Sequence, residues 1–448
     1  MSPLASTWVE DPVNEPENPT NSTNSPPPPS RKNPVWPEDS ILDDFVRLAR
    51  GVSESEDAIL IGSILPITAA LLARRVFIQF GAKKYPNLYN LIVTKPGLRK
   101  STTINFADYI AKKLLPPSSF ISGASSEQAL FKSYLPHPDK IWLEDEGNTI
   151  LSNWANDAAG KIVAKRMLKL YDCGGWLQNY IRQEVENEDS KAQQLIPETS
   201  TSFLIGTTWN NCRFNGLESR DGMRRRTSYY IGEKYARRID WPETLDSKAM
   251  AKLIQMFGKL LKLEGECQLS PDARKQWTHI QKHNREDIES ITGVDASAEA
   301  HGSALSEEPS RILKRAMIFE ACRWAKNPSR KWQIIQADTL ALAAEHESYC
   351  IQSSLDLETI SARAEIREIA DSILAKIHRM DAPNSDGWFM LTRSDLVSNF
   401  APHPDRKGAM TVARLYNEII PDLTKRGLAR LAERRGKLEI YGFKAEDA

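Results

Sequence analysis

Cysteine is scarce in this chain: Cys173, Cys212, Cys267, Cys322 and Cys350 are widely spaced, odd in number and form no C-x-x-C pair. That pattern excludes a disulfide framework and zinc-finger spacing, fits a reducing, cytoplasmic compartment, and leaves the thiols as small core residues. Net charge is missing too, because 59 Lys and Arg balance 59 Asp and Glu. A nucleic-acid partner would therefore be met by a local basic patch and not by a global field. The first 40 residues hold no apolar secretory segment, so no export is expected. The longest apolar run, "AILIGSILPITAALLA" (58–73), contains Pro66 and ends at Arg74-Arg75. It is too short and interrupted for a bilayer, and reads as a buried helix kinked or broken near the proline. With no export signal, the sequon Asn21-Ser22-Thr23 carries no weight. The histidines lack metal-ligand spacing, no Ser–His–Asp assembly can be argued, and no internal repeat is visible.

What is present points to several domains. At 448 residues the chain exceeds one ordinary core, and roughly 100–200 residues per domain predicts two or three. Residues 1–37 are rich in Pro, Asn, Ser and Glu and predict a disordered tail, a spacer or a docking segment. From 38 to 245, helical patterns alternate with short β-rich runs, "NLYNLIVT" (87–94), "SSFISG" (118–123), "KIWLED" (140–145) and "TSFLIGTTW" (201–209). That alternation predicts an α/β core with a parallel sheet covered on both faces. Residues 246–362 read as almost entirely helical, with starts at Ser270-Pro271 and Gln336-Ala337-Asp338, and predict a helical lid subdomain. In 363–448, helices at 366–380, 392–400 and 410–427 precede two strands around a turn at Arg434-Arg435-Gly436-Lys437, the pattern of a winged helix.

The chemistry concentrates at "LIVTKPGLRKSTTINFADYI" (91–110), a strand, a loop and a helix. In a phosphate loop of pattern G-x-x-x-x-G-K-S/T, backbone amides and a helix N-terminus surround the phosphates. The lysine adds charge, and the hydroxyl ligates magnesium. Here Thr94 and Arg99 occupy the two glycine positions, while Gly97, Lys100, Ser101 and Thr102 remain. Gly97 can supply the turn. Arg99 either strains the backbone, at about 1–3 kcal/mol, or adds a second cation for the phosphates.

Forty-five residues on, "KIWLEDEG" (140–147) ends a buried strand in Asp145-Glu146, which suits a magnesium-binding acid beside a general base. The next strand ends in polar Thr207, Thr208 and Asn210, where a residue such as Asn210 can orient an attacking water. "SRDGMRRRTSYYI" (219–231) brings three arginines before a further strand. Arg225 and Arg226, placed later in the turn than Arg224, are the better candidates for an arginine finger; the alternative is a solvated basic turn. Arg311 or Arg315 of "SRILKRAMIFEACRWA" is a candidate to approach the nucleotide from its far side, against a plain helix with a polar face. Toward the C terminus Lys425, Arg426, Arg430, Arg434, Arg435 and Lys437 face only Glu433 in the same stretch. They suit contact with DNA phosphates, or else a protein-interaction module. "HPDRKG" (403–408) could contribute.

Taken together, "NLYNLIVTKPGLRKST", "KIWLEDEGNTIL", "KRMLKLYDCGGW", "SFLIGTTW" and "DGMRRRTSYY" resemble a family of P-loop ATPases of phages, plasmids and other mobile elements, often beside or fused to primases. The family looks related to superfamily-3 and other AAA+-type replicative helicases, and the resemblance runs from about Pro34 to Ala362. It implies ATP hydrolysis with magnesium by a homo-hexameric ring that moves on single-stranded DNA. Carried over by position, Lys100 would contact phosphates, Ser101 and Asp145 would hold magnesium, Glu146 would activate water, and Arg225 or Arg226 would act across a subunit boundary. Thr94 and Arg99 depart from the pattern. No primase module is expected before Asp39, so a primase partner would be separately encoded. Residues 174–198 stand where such helicases carry a pore hairpin, so Arg182 or Lys191 would touch DNA there, unless both are solvated loop charges. A DNA-binding initiator or scaffold with a weakly hydrolysing core, or a regulatory or defence ATPase that opens no duplex, stays open beside the helicase reading.

Overall fold

Pro66 sits in the middle of a helix that does not break. The helix Asp57–Leu72 runs through it without interruption. A proline has no amide for the carbonyl four residues back, and here the freed Gly62 carbonyl accepts from Asn90 Nδ2 at 2.8 Å. A side chain of the neighbouring sheet thus replaces the missing donor, which corrects the expectation of a break. The helix is buried nearly all round, as a core helix without a polar face must be. Extended to Arg75, it is the one helix among the described residues apolar and long enough to cross a membrane, yet 83% of that window is buried inside the molecule.

The computed structural model describes residues 32–121, 123, 126–179, 193–209, 222–240, 246–291, 296–379, 383–384, 386–401, 411–435 and 438–444. From Asn33 onward the chain is one compact unit. In chain order its strands begin with the hairpin β1 (Val76–Phe80) and β2 (Ala82–Lys84), followed by β3 (Tyr89–Thr94), β4 (Phe120–Ile121) and β5 (Asp139–Glu144). An antiparallel pair, β6 (Trp176–Asn179) and β7 (Gln193–Ile196), precedes β8 (Ser200–Thr208) and β9 (Thr227–Gly232). Then come β10 (Gly265–Leu269), β11 (Ile334–Ile335), β12 (Trp388–Thr392), β13 (Ala429–Arg435) and β14 (Leu438–Lys444).

The central sheet has the order β4-β5-β8-β3-β9, and every neighbouring pair is parallel. Its period-two alternation sorts side chains onto two helical layers. Tyr89, Leu91 and Val93 enter one core with Phe131, Trp154, Met167 and Trp176, while Ile92 enters the other with the helices 41–50, 57–72 and 308–326. The expected parallel sheet with helices on both faces is therefore present.

Three readings change. The segment 246–362 is not purely helical, because β10 and β11 join β1 and β2 in a four-stranded sheet of order β11-β10-β1-β2. Five residues with one buried cysteine in the middle carry too little periodicity to show in sequence. The helix expected to start at Gln336-Ala337-Asp338 and the separate one expected at 366–380 are one 41-residue helix, Ala337–Ile377. No Gly or Pro interrupts it, so the boundary placed at 362/363 falls inside a continuous element. Its far end packs with a C-terminal sheet of order β12-β14-β13 and the helices 393–400 and 412–425 around Phe389, Leu396, Leu415, Ile419, Leu423 and Phe443. β12 was missed, being a five-residue run directly abutting a helix capped by Thr392 and Asp395. Cys173, Cys267, Cys322 and Cys350 are buried free thiols, whereas Cys212 lies outside the described residues.

Candidate functional site

In a parallel sheet all strands point their carboxyl ends the same way, and ligand crevices open there, where successive connections diverge. β3 ends at Thr94, and the chain then turns through Lys95–Arg99 into the helix Lys100–Leu114. Gly97 takes φ +89° and Arg99 φ +57°. Only glycine adopts such angles freely, so Arg99 carries a left-handed backbone worth roughly 1–2 kcal/mol of strain. Its guanidinium lies 3.4 Å from Glu54. Both halves of the Arg99 question receive an answer: the backbone is in the disfavoured region, and the charge already has a carboxylate.

The loop is braced by residues the motif pattern could not reveal. Ser55 Oγ donates to the Leu98 carbonyl at 3.0 Å, and Tyr235 OH donates to the Gly97 carbonyl at 3.0 Å. Arg237 donates to the carbonyls of Ser53 and Ser55 and to Asp57. Lys95 stands 5.0 Å from the centre of the Trp209 ring. These partners lie more than a hundred residues away in sequence or on an unremarkable loop, and nothing in their local pattern sets them apart.

Arg99 gives the helix no side-chain cap. The first amides of an α-helix have no partner within it and carry the positive end of its dipole. They open, with Lys100, Ser101 and Thr102, onto a cleft of about 460 Å³ whose other walls include Asp145, Glu146, Asn148, Thr207 and Thr208. Lys100 Nζ donates to the Asp145 carbonyl. Burial lowers the Lys100 pKa, against the opposing pull of the Asp145, Glu146 and Glu144 carboxylates. Glu144 is shifted upward, by burial first and then by Asp145. Among the described residues the carboxylates of Asp145 and Glu146 are in no ion pair with the protein. The acidic pair and the loop lysine therefore share one cleft although β8 separates their strands.

β8 makes this possible by being thin at one point. A Cβ at Gly206 would stand 2.6 Å from Ile104 Cδ1, 2.8 Å from Lys100 Nζ and 3.0 Å from the Asp145 carbonyl oxygen, so a side chain there would crowd all three. The Gly206 carbonyl also accepts from the Gly147 amide at 2.8 Å, tying the strand end to the acidic turn. Thr207 Oγ1 donates to Asn148 Oδ1. Gly206 is thus a site residue that sequence reasoning passed over; its signal is a lone glycine inside a β-rich run, which implies close approach of another group. Asn210 lies outside the described residues, as do Arg182, Lys191 and 403–408.

The arginine turn lies at the other end of the sheet. Met223–Arg226 is a short helix leading into β9, which runs parallel to β3 with Tyr89 opposite Thr227 and Thr94 opposite Gly232. Six residues at about 3.3 Å each put the turn roughly 20 Å from the Lys95–Arg99 loop of its own chain. Arg224 is buried and donates to Ser354 Oγ and to the Ser354 carbonyl, both at 3.0 Å. Arg226 donates to Asp172 at 2.9 Å and its side chain is 9% exposed. Arg225 is the open one, with a side chain 40% exposed and Glu307 at 3.9 Å. Arg311 and Arg315 do not approach the cleft, since both are buried on Glu347.

The C-terminal basic set is also thinner than expected. Arg426 pairs with Asp371 and Asp422, and Arg434 with Glu439. Arg430 stacks over Trp388 at 4.1 Å and, with Lys425, is exposed. Arg435 ends β13, and Lys437 lies outside the described residues. Carboxylates distant in sequence thus offset charges that looked unopposed within their own stretch.

No protein-family model matches the chain, and no curated protein is similar to it.

Proposed function

We propose that the cleft is a nucleoside-triphosphate hydrolysis site of the P-loop kind, and that the chain is an ATP-driven DNA translocase or helicase. One observation carries the reading: Lys100, at an uncapped helix N-terminus, meets the Asp145-Glu146 strand end across the inserted strand β8. Phosphates suit the open amides of Lys100–Thr102 and the lysine charge. The residues fit magnesium, because that ion needs only one or two carboxylates beside substrate phosphates; the uncommitted Ser101 hydroxyl and Asp145 carboxylate would hold it. There magnesium would neutralise charge developing on the transferred phosphoryl group. Glu146, exposed at the rim, would accept the proton of the attacking water, and Thr207 and Thr208 stand where that water can be oriented.

Arg225 can serve only a neighbouring copy's cleft, because its own is a strand length away. That supports a ring, with a hexamer as the family resemblance implies. The sheet of β12, β13 and β14 with its helices is read as a winged helix, offering Lys425 and Arg430 to DNA, and a primase is the expected partner. The test is ATP hydrolysis with and without single-stranded DNA, in the parent and in Lys100→Ala and Glu146→Gln. DNA-stimulated turnover lost in both variants supports the proposal, whereas robust turnover by both would sink the site. A nucleotide-binding core of slow turnover is the second reading, favoured by the strained Arg99; tight ATP binding without turnover on any DNA would select it.

A further inference from the structure

At the opposite end of the central sheet from the phosphate loop, a second cavity of about 190 Å³ opens where β4 and β5 begin. Half of its wall residues are alanine, leucine and proline, and the polar half is Arg75, Ser119, His137, Asp139 and Lys140. Lys140 is 3% exposed; it donates to the Ser118 carbonyl and lies 5.7 Å from the centre of the Tyr134 ring. Among the described residues it has no carboxylate partner. Arg75 is half-buried and gives its two terminal nitrogens to the carbonyls of Leu261 and Leu71, again without an ion pair. Among the described residues the one carboxylate at the cavity, Asp139, is committed to Arg74 at 2.6 Å. Ser119 is 2% exposed and, among the described residues, its hydroxyl has no hydrogen-bond partner.

Each of these is costly alone. A buried ammonium whose only partners are one carbonyl and a ring face, and a buried hydroxyl with none, lose hydration that the described residues restore only in part. They border the same space, along with a guanidinium and with His137, whose Nδ1 is engaged by the Asp139 backbone. Burial lowers the Lys140 pKa to about 8, so the group still carries its charge at neutral pH. Ala73, at the same wall, takes φ +46°, one of three non-glycine residues with positive φ among those described.

We propose that this cavity binds a free, compact oxyanion of phosphate size. Lys140 and Arg75 supply its counter-charges, and Ser119 donates a hydrogen bond to one of its oxygens. The lysine's uncommitted protons and the hydroxyl make charge-assisted bonds, the stronger class. The apolar walls restrict the site to a small ligand and keep water from screening the pair. This site is distinct from the cleft and does not rest on its hydrolytic reading.

The experiment uses the full chain carrying Lys100→Ala, so that phosphate does not report on the cleft. Inorganic phosphate is titrated at constant ionic strength against chloride while the melting temperature is followed. A saturable rise is expected, abolished by adding Lys140→Met and with the apparent affinity weakened about tenfold by adding Ser119→Ala. In the absence of phosphate, Lys140→Met should melt no lower than its parent, because it removes a buried charge that has no carboxylate partner among the described residues. The same phosphate response in Lys140→Met, or no saturable response in the parent, overturns the site. Should Lys140→Met fail to fold, an unchanged phosphate affinity in Ser119→Ala overturns it equally.

Discussion

Charged residues crowd two regions of this molecule, and they do opposite things. In the layer between β9 and the helices 308–326 and 337–377, the buried Glu347, Arg311, Arg315 and Arg224 all have partners inside the chain. Glu347, fully buried, takes both Arg311 and Arg315; Arg315 also donates to Ser228 at 2.5 Å, and Arg224 is held by Ser354. At the carboxyl end of the sheet, Ser101, Asp145 and Glu146 stand beside Lys100 without such commitments among the described residues. The lesson is that charge density does not mark a site, whereas polar groups left uncommitted at a strand end do. Substitutions in the first region should cost stability, and those in the second should cost activity.

The largest effect expected is at Glu347→Gln. It leaves two buried guanidinium groups facing a neutral amide, and should lower unfolding free energy by about 3–5 kcal/mol in urea titration. A loss below about 1 kcal/mol would mean the layer is not held as described. Lys100→Ala and Glu146→Gln should show the reverse. Hydrolysis should fall about a hundredfold or more for each, with little change in the urea midpoint. Gly206→Ala crowds Ile104, the Lys100 ammonium and the Asp145 carbonyl, so it should lower kcat together with nucleotide affinity while β8 stays paired.

A pH dependence belongs to the committed layer. His346 is buried, with Nδ1 donating to the Val35 carbonyl at 2.6 Å and Nε2 accepting from Tyr230 OH at 2.8 Å, an arrangement that suits the neutral ring. Burial, then Arg315, lowers its pKa from 6.5 to about 3. Between those values the unfolded chain binds a proton that the folded chain does not, so stability falls as pH drops below 6.5 and is fully present above it. His346→Gln should flatten that slope by up to about 1.4 kcal/mol per pH unit relative to the parent. An unchanged slope in denaturant titrations would place the charge elsewhere. The smallest effect is at Arg99→Gly, which relieves the left-handed backbone. It should stabilise the chain by no more than about 1 kcal/mol, after allowing for the greater freedom of glycine when unfolded. Retained nucleotide affinity in that variant would mean Arg99 serves Glu54 and not the phosphates.

Much of the parallel sheet was legible because its strands are buried on both faces and separated by helices with clear periodicity. β3, β5, β8 and β9 fall where the β-rich runs predict them. The strand order was not legible, since it depends on which connections cross over, and it is the order that brings Lys100 to Asp145. The loop's braces, Ser55, Tyr235 and Arg237, were hidden for the same reason. Short strands at helix junctions, β10 and β12, escaped because five residues hold too little pattern. The arginines misled most. "RRR" and "SRILKR" look like reaching cations in sequence, yet Arg224, Arg226, Arg311 and Arg315 are partnered by Ser354, Asp172 and Glu347, residues far away along the chain.

Direct measurement of ATP binding and hydrolysis, with and without magnesium, in the parent and Glu146→Gln tests the central claim most closely. The account predicts that both bind ATP and only the parent turns it over, in a magnesium-dependent manner. Failure of either to bind ATP, or equal turnover by both, would contradict it.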